Sequence, residues 1–246
     1  MDKPLPDSQA YPRAFSLTLV VPCYNEEHTL AACIERVQEI ADDQLQLEII
    51  IVNDASTDKS LEKARELEAT YSNVRVLSHD KNQGKGAALR TGFEHATGEF
   101  VGVQDADLEY DPMDLRRLVR PLVDDRADVV FGSRYLSQGE RRVLYFWHSL
   151  MNRGITLLSN MFTDMGLTDV ETCYKLFKRE IIQAVDIKEN RFGFEPEITA
   201  KVGQMRCRVY EAPISYQGRT YAEGKKINWK DGIKAIFAIL WFRFFD

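Results

Sequence analysis

The sequence predicts an α/β protein in which a mostly parallel sheet is flanked by helices. The first observation is that five short segments are almost continuously apolar, namely 16–21, 47–52, 74–77, 99–103 and 128–131. Strands buried on both faces have this composition. The second observation is that amphipathic segments alternate with them through short connections, at 29–40, 59–70, 84–96 and 112–123. This alternation is typical of a doubly wound sheet, in which ligands bind beyond the carboxyl ends of the strands.

The individual elements follow from periodicity and from turn residues. In the first helix Leu30, Ile34 and Val37 share one face. We expect Pro22 to end the first strand, because proline cannot donate a ladder hydrogen bond. The second half is less regular, and there we predict a helix over 141–162, an extended segment over 169–177, a helix over 194–202 and a strand over 206–214.

Composition restricts the class of protein. The chain has 246 residues, 44% hydrophobic and 28% charged, which is typical of a soluble globular protein. Its formal net charge of -6 argues against nucleic-acid binding. The four cysteines form no C-x-x-C pair, which favours buried, reduced thiols. We expect a flexible segment over 1–15 without the features of a secretory signal, one domain over 16–227 and an amphipathic, interfacial helix over 228–246.

The strongest chemical signal is the acidic loop after the fourth predicted strand, which carries Asp105, Asp107 and Glu109. Three carboxylates on one loop repel one another, and a hard divalent cation relieves that repulsion. Mg²⁺ or Mn²⁺ bound in this way takes further oxygens from a substrate diphosphate. An ordinary solvated acidic loop is the alternative.

Two further candidate positions follow the first and second strands. Tyr24 offers a flat face for a nucleobase, and Glu26 can accept hydrogen bonds from it. Asp54 can hold a base or a ribose. Each has a plainer explanation, because acidic and hydroxyl residues also favour helix N-termini. The carboxyl ends of parallel strands meet at one edge, so the three positions are expected to converge there.

The motifs at these positions resemble those of the family 2 glycosyltransferases of GT-A fold. They are VVPCYNEE at 20–27, IIVNDASTD at 50–58, NQGKG at 82–86 and DAD at 105–107. The segments GSRY at 132–135 and TDVETCYK at 168–175 resemble the branch that contains dolichol-phosphate mannose synthases and bacterial polyprenyl-phosphate glycosyltransferases. The resemblance covers residues 16–231. Asn53 stands where the mannose synthases usually carry Asp, so the nucleobase stays open between GDP and UDP.

The resemblance implies roles for particular residues. Asp107 and Glu109 are the implied metal ligands, and Asp107, Arg134, Arg219 and Lys225 the catalytic set. Arg134, Arg219 and Lys225 would contact the donor diphosphate or its sugar. The nucleotide-sugar would lie against Pro22, Tyr24, Glu26, Val52, Asp54, Asp105 and Ala106. The glycine-flanked Lys85 lacks the P-loop pattern, and we interpret it as part of a structural loop at a helix start.

The second half suggests an acceptor site. Arg141, Arg142 and Arg153 accompany an apolar run, and arginines bind phosphate well. We interpret them as candidate ligands of a lipid phosphate whose prenyl chain lies along the apolar residues. A core helix with a charged start is the alternative. The C-terminal run mixes aromatic and basic residues, which predicts peripheral association with the cytoplasmic face of a membrane.

The expected reaction is inverting transfer of a hexose from GDP-mannose or a UDP-sugar to a polyprenyl or dolichyl phosphate. A phosphate acceptor is mostly ionised at pH 7 and needs no general base. A transferase acting on a sugar hydroxyl is the first alternative, and it would need a base such as Asp169 or Glu171. A nucleotide-sugar-binding protein without catalytic activity is the second. The oligomeric state is left undetermined.

Overall fold

A computed structural model describes residues 10–136, 142–191 and 193–218, together with residues 237, 239, 241 and 242. Within them lie seven strands, β1 Phe15–Cys23, β2 Leu45–Asn53, β3 Val74–Ser78, β4 Phe100–Val103, β5 Val129–Ser133, β6 Lys175–Lys178 and β7 Val209–Pro213. Seven named helices accompany them in the same residues, α1 Leu30–Gln38, α2 Ser60–Thr70, α3 Lys85–His95, α4 Asp114–Val123, α5 Phe146–Thr163, α6 Arg179–Ala184 and α7 Phe194–Gln204.

The strands form one sheet in the order β3-β2-β1-β4-β6-β5-β7. Neighbouring strands are parallel except around β6, which runs antiparallel to both β4 and β5. The predicted mostly parallel α/β architecture is therefore confirmed. The extended segment expected over 169–177 is a strand only from Lys175 onward. Because β6 is reversed, it begins at the carboxyl edge of its neighbours, and this reversal brings the preceding loop to that edge.

The prediction that Pro22 ends β1 is wrong, because the strand continues to Cys23. Pro22 pairs in register with Val52 of β2. On the other side of β1 the ladder with β4 ends at Val20 and Val103, where the amide of Gln104 donates to the Val20 carbonyl. In a strand, residues two apart direct their backbone N–H and C=O groups to the same side, so the backbone of Pro22 faces the same side as that of Val20. The ladder with β4 has ended at that point, so no hydrogen bond of the sheet is lost because Pro22 has no N–H.

The helices of the first half begin and end within two residues of their predicted bounds, and α7 extends two residues further. Residues 142–145 are not helical, so α5 begins at Phe146 instead of 141. Helix α6 was not predicted, because its six residues are too few to show a period. The central strands form the core, with Leu17, Leu19 and Ile50 fully buried. Helix α3 packs closely on β1, since a Cβ on Gly92 would lie 2.2 Å from Cγ1 of Val20.

The predicted C-terminal helix lies mostly outside the described residues. Of the four described there, Ile239 and Phe242 are buried and Phe237 and Trp241 are exposed, and all four are helical. Ile239 packs on Ile155 of α5. Among the helices that the structure describes, none combines the length and the apolar character that a bilayer crossing requires.

Candidate active site at the carboxyl edge of the sheet

A half-buried lysine lies between two carboxylates at the exit of β4. The Nζ atom of Lys85 lies 2.9 Å from Oδ1 of Asp105 and 3.1 Å from Oε1 of Glu195. Lys85 is the first residue of α3, and Glu195 lies in the first turn of α7. The three side chains are mostly withdrawn from solvent, with exposures of 17%, 23% and 9%. One cation therefore joins the β4 exit to two helix starts.

This arrangement determines the protonation of Asp105. Burial raises the pKa of a carboxyl group, but the charge of Lys85 and hydrogen bonds from Lys85 and Cys173 reverse the shift, so the pKa of Asp105 is lowered. For Lys85, burial opposes the charged form, and the Asp105 charge more than offsets it, so the pKa of Lys85 is raised well above its usual value. Both groups are ionised at neutral pH. The expectation that the acidic loop needs a divalent cation overlooked Lys85, which already balances Asp105.

The carboxylate of Asp54 holds the loop that carries Lys85. It accepts hydrogen bonds from the amides of Gln83 and Gly84 at 2.9 and 2.7 Å, and it lies 2.7 Å from Nδ1 of His79. Gly84 has φ of 107°, and a Cβ there would lie 2.3 Å from the carbonyl oxygen of Asn190. The predicted helix start is confirmed, because α3 begins at Lys85. Asp54 is 3% exposed, so its carboxylate is directed into the protein.

The exits of β1 and β2 are bonded to each other. The amide of Asn25 donates to Oγ of Ser56, and the amide of Thr57 donates to Oδ1 of Asn25. This contact fixes the strand ends around the predicted nucleobase residues. Tyr24 is 43% exposed there, Glu26 is half-buried and accepts from the Thr29 hydroxyl, and Pro22 is half-buried.

Val52, which is predicted to line the base pocket, and Asn53, on which the choice of nucleobase depends, both lie inside the protein. Val52 is fully buried. Asn53, the departure from the mannose synthase pattern, is 1% exposed. Its side-chain nitrogen donates to the Ser78 hydroxyl, and its side-chain Oδ1 accepts from the amide of Ser56. Asn53 therefore braces β2 against the end of β3.

Asp107 and Glu109 lie on the turn that follows Asp105, and Ala106 between them and the sheet is buried. Oδ1 of Asp107 accepts from the amide of Glu109 at 3.1 Å. The Tyr216 hydroxyl donates to Oε2 of Glu109 at 2.8 Å, and the amide of Gln217 donates to the Glu109 carbonyl at 2.7 Å. The segment after β7 is thereby attached to the acidic turn.

A divalent cation fits this turn as a site completed by substrate. In the parts of the chain that the structure describes, no three His, Cys, Asp or Glu side chains are arranged to hold a metal ion. Mg²⁺ commonly uses one or two carboxylates with substrate phosphates and waters instead of a closed protein cage. Asp107 and Glu109 are two hard oxygen donors on one turn, and the negative charge of both raises the pKa of Tyr216, after the larger effect of burial. The donor set is therefore suitable for Mg²⁺ or Mn²⁺.

Arg134 follows β5 and is held by a carboxylate from the loop before β6. Its Nε and a terminal nitrogen donate to the two oxygens of Asp169 at 2.7 and 2.8 Å, and its amide donates to the same carboxylate at 3.0 Å. Asn152 of α5 donates to Asp169 at 3.0 Å. Burial opposes the charge of Asp169, but Arg134 outweighs it and lowers the pKa. The Arg134 guanidinium also lies 5.2 Å from the centre of the Tyr216 ring, so Tyr216 links it to Glu109.

Glu171 lies in the same loop as Asp169, but its pKa is shifted in the opposite direction. Its Oε1 atom is buried and has no hydrogen-bond partner among the residues that the structure describes. Burial, together with the negative charge of Glu195, raises its pKa to about 7. The neighbouring Lys175 is fully buried, and its Nζ donates to the carbonyls of Val170 and Thr172. Glu171 is thus a carboxyl group able to exchange a proton near neutral pH.

The remaining predicted residues divide between exposed positions and undescribed ones. Arg142 and Arg153 are exposed, and the Arg153 guanidinium lies 5.7 Å from the centre of the Tyr135 ring. Arg141, Arg219 and Lys225 lie outside the described residues. The sequence reasoning missed three residues of the site, Lys85, Glu195 and Tyr216. The glycines flanking Lys85 were the available signal, whereas nothing local marks the other two.

The fold and the edge at which these side chains meet define a protein of the GT-A class. The model of the family described as "Glycosyl transferase family 2" matches residues 18–186, which is more than half of the chain. The chain therefore belongs to glycosyl transferase family 2.

Similar curated proteins include a dolichol-phosphate mannosyltransferase of Pyrococcus furiosus, 27% identical over 85% of this chain and 58% of its own length. A dolichyl-phosphate beta-glucosyltransferase, ALG5D, of Trichomonas vaginalis is 28% identical over 91% of this chain and 72% of its own. The chain thus spans little more than half the length of the mannosyltransferase. The glucosyl-3-phosphoglycerate synthase of Mycobacterium tuberculosis matches in structure with a TM-score of 0.70 at 18% identity, covering 93% of this chain and 81% of that one. At this identity the match supports the fold.

Proposed function

We propose that the protein transfers a hexose from a nucleoside diphosphate sugar to a polyprenyl phosphate, with inversion at the anomeric carbon. One observation carries the proposal: Tyr216 contacts both Arg134 and Glu109. An arginine and the acidic turn therefore lie together at one edge of the sheet. The dolichyl-phosphate transferases among the relatives support the acceptor class. The synthase crystallised with Mn²⁺ and UDP supports the donor class and the use of a metal.

In this mechanism an oxygen of the acceptor phosphate attacks the anomeric carbon, and the bond from that carbon to the donor diphosphate breaks. The acceptor is mostly ionised at neutral pH, so no side chain has to remove a proton. Asp107 and Glu109 would hold the divalent cation, which supplies positive charge to the departing diphosphate. Arg134, held in place by Asp169, would donate to the departing diphosphate from the guanidinium N–H groups that Asp169 does not bind. Arg219 and Lys225 are proposed to contact the donor phosphates, and Tyr24 and Glu26 its base.

A product assay tests the proposal. The protein is incubated with Mn²⁺, UDP-glucose or GDP-mannose, and a short-chain polyprenyl phosphate, and products are identified by mass spectrometry. We expect a polyprenyl phosphate hexose, and we expect none from Asp107→Ala. Asp43→Ala, on an exposed carboxylate remote from the acidic turn, is the control and should retain full activity. Transfer that persists in Asp107→Ala with EDTA present would contradict the metal role.

A sugar hydroxyl as acceptor is the second candidate, and Glu171 supports it. A hydroxyl nucleophile needs a base, and Glu171 has a pKa of about 7 and, in the described part of the chain, an oxygen without a hydrogen-bond partner. Asp169, the other base considered, is occupied by Arg134 and Asn152. Glu171→Gln separates the two candidates. It should lower kcat at least a hundredfold for a hydroxyl acceptor, since general-base catalysis contributes about 10²–10⁴-fold, and it should change transfer to a phosphate much less.

A further inference from the structure

Helix α5 exposes an apolar stripe on the face opposite its buried side. Its buried residues are Asn152, Ile155, Thr156 and Ser159. At 100° per residue, positions 147, 150, 154, 157 and 161 fall together on the other face. We call the exposed apolar side chains at these positions and at the flanking positions 146 and 151 the α5 stripe, which consists of Phe146, Trp147, Leu150, Met151, Leu157 and Met161.

The α5 stripe is exposed to an unusual degree. Phe146, Trp147, Leu157 and Met161 are each between 63% and 76% exposed, and Val143 just before the helix is 89% exposed. Single exposed apolar residues are normal on a protein surface, whereas a continuous row marks an interaction site.

The charges around the α5 stripe are opposite to those of the chain as a whole. From Arg142 to Thr163 the sequence contains two arginines and no Asp or Glu, although the whole chain has a net charge of -6. Arg142 and Arg153 are both exposed beside the stripe. A locally basic, aromatic and aliphatic surface on an in-plane helix matches the composition that binds anionic lipid interfaces.

We infer that the α5 stripe is the surface through which the protein docks on an anionic lipid bilayer, with α5 lying parallel to the membrane plane. The inference rests on the proposed function, which requires a lipid acceptor. A second copy of the chain fits less well, because a two-fold contact through this face would bring the arginines of both copies together. The helix is 18 residues, or ~27 Å, long and carries Arg153 within it, which suits an interfacial position.

The two faces of α5 connect the membrane to the site. On the buried face Asn152 donates to Asp169, and Asp169 holds Arg134. A helix docked through its outer face would therefore present the Arg134 side of the edge toward the lipid headgroups. An acceptor whose phosphate lies at the headgroup level could reach that edge without leaving the bilayer.

Vesicle flotation tests the inference without any substrate. The full chain is mixed with phosphatidylcholine vesicles that contain or lack phosphatidylglycerol. We expect flotation with the anionic vesicles, and a reduction of about tenfold or more for Phe146→Ser/Trp147→Ser and for Leu157→Ser/Met161→Ser, because each pair removes inserted apolar area. Met113→Ser is the matched control, since Met113 is 50% exposed but lies outside the stripe. It should float like the parent chain.

Two further arms separate the competing explanations. Arg142→Gln/Arg153→Gln should weaken binding to anionic vesicles and leave any binding to neutral vesicles unchanged. Sedimentation velocity tests the second copy, and a dimer that the stripe variants dissociate would overturn the inference. So would flotation of both stripe variants at the level of the parent, or no flotation of the parent.

An activity assay keeps this result distinct from the proposed function. Transfer to a short, water-soluble polyprenyl phosphate should be retained by Leu157→Ser/Met161→Ser, and transfer to a long-chain acceptor in vesicles should fall with the vesicle binding of that variant. Retained transfer with no vesicle binding by the parent would reject the docking surface alone. Vesicle binding without transfer to either acceptor would reject the proposed function and leave the surface standing.

Discussion

Replacing Lys85 with methionine should show how much of the site depends on one half-buried cation. The change removes the positive charge between Asp105 and Glu195 while keeping an unbranched side chain. Loss of one partner from a buried ion pair costs ~3–5 kcal/mol. Lys85 and Asp105 are 17% and 23% exposed, so partial hydration places the expected loss near the lower limit. We expect Lys85→Met to lower the free energy of unfolding by about 3 kcal/mol and the Tm by roughly 6–12 °C.

The pH dependence gives this prediction its specific signature. In the parent chain the pKa of Asp105 is lowered, so its ionised form is stabilised by folding. Without Lys85, burial dominates and the pKa of Asp105 rises above its unfolded value. The unfolded state then binds fewer protons than the folded state, so stability falls as pH rises. The deficit of Lys85→Met should therefore be larger at pH 8 than at pH 5.

Urea unfolding at both pH values measures the effect, with Lys81→Met as the control on an exposed lysine. A double-mutant cycle with Glu195→Gln tests the cause, because neutralising one stranded carboxylate should recover more than 1 kcal/mol. The reasoning is refuted if Lys85→Met costs less than 1 kcal/mol at both pH values. Additive behaviour with Glu195→Gln would equally contradict it.

The remaining predictions concern the carboxylates around the site. Glu171→Gln should stabilise the protein by up to ~3 kcal/mol at pH 8 and hardly at all at pH 4.5. The pKa of Glu171 is about 7 in the folded protein against an ordinary 4.5, so folding disfavours its ionised form, and this cost grows as pH rises. Thermal unfolding against the exposed control Glu94→Gln measures this, and an equal Tm change at both pH values would contradict it. Arg134→Met should lower the free energy of unfolding by ~3–5 kcal/mol, because it leaves the fully buried Asp169 without its cation. Arg134→Lys should recover only part of this stability, because lysine cannot form the bidentate pair. Urea unfolding decides this, and full recovery by lysine would show that charge alone matters. Asp107→Ala should weaken UDP binding in the presence of Mn²⁺ at least tenfold by calorimetry with little effect in EDTA, and equal weakening in both buffers would show a purely structural role.

The sequence predicted the parallel half of the fold well because local signals there agree. The strands from β1 to β4 are apolar runs, and each is followed by a helix with its own period. Strand β6 is four residues long and is paired on both sides by partners distant in sequence, so nothing local reveals its reversed direction. The end of β1 was predicted wrongly for a related reason. Whether Pro22 ends the strand depends on where the neighbouring strand β4 ends, which the local sequence does not show.

Of the candidate site, only the residues in the motifs at the strand ends could be predicted from the sequence. Asp107 and Glu109 share a turn, and the sequence alone places them together. The partners that determine charge come from elsewhere in the chain: Lys85 for Asp105, Asp169 for Arg134, and Tyr216 for Glu109. Counting acidic residues on the loop therefore overestimated the charge that a metal must balance. Asp54, which the sequence predicts to hold a base or a ribose, also accepts hydrogen bonds from the backbone of the Lys85 loop, and nothing local in the sequence indicates this.

The reversed direction of β6 explains how a single loop can contact both the carboxyl edge of the sheet and helix α5. A parallel strand at this position would begin at the opposite edge and carry residues 168–174 away from Asp105. Because β6 begins at the carboxyl edge, Asp169 meets Arg134 from β5 and Asn152 from α5, and Cys173 meets Asp105. Helix α5 is thereby fixed to the site through its buried face. Asn152 and Asp169 are the two hydrogen-bonded side chains that connect this buried face to Arg134.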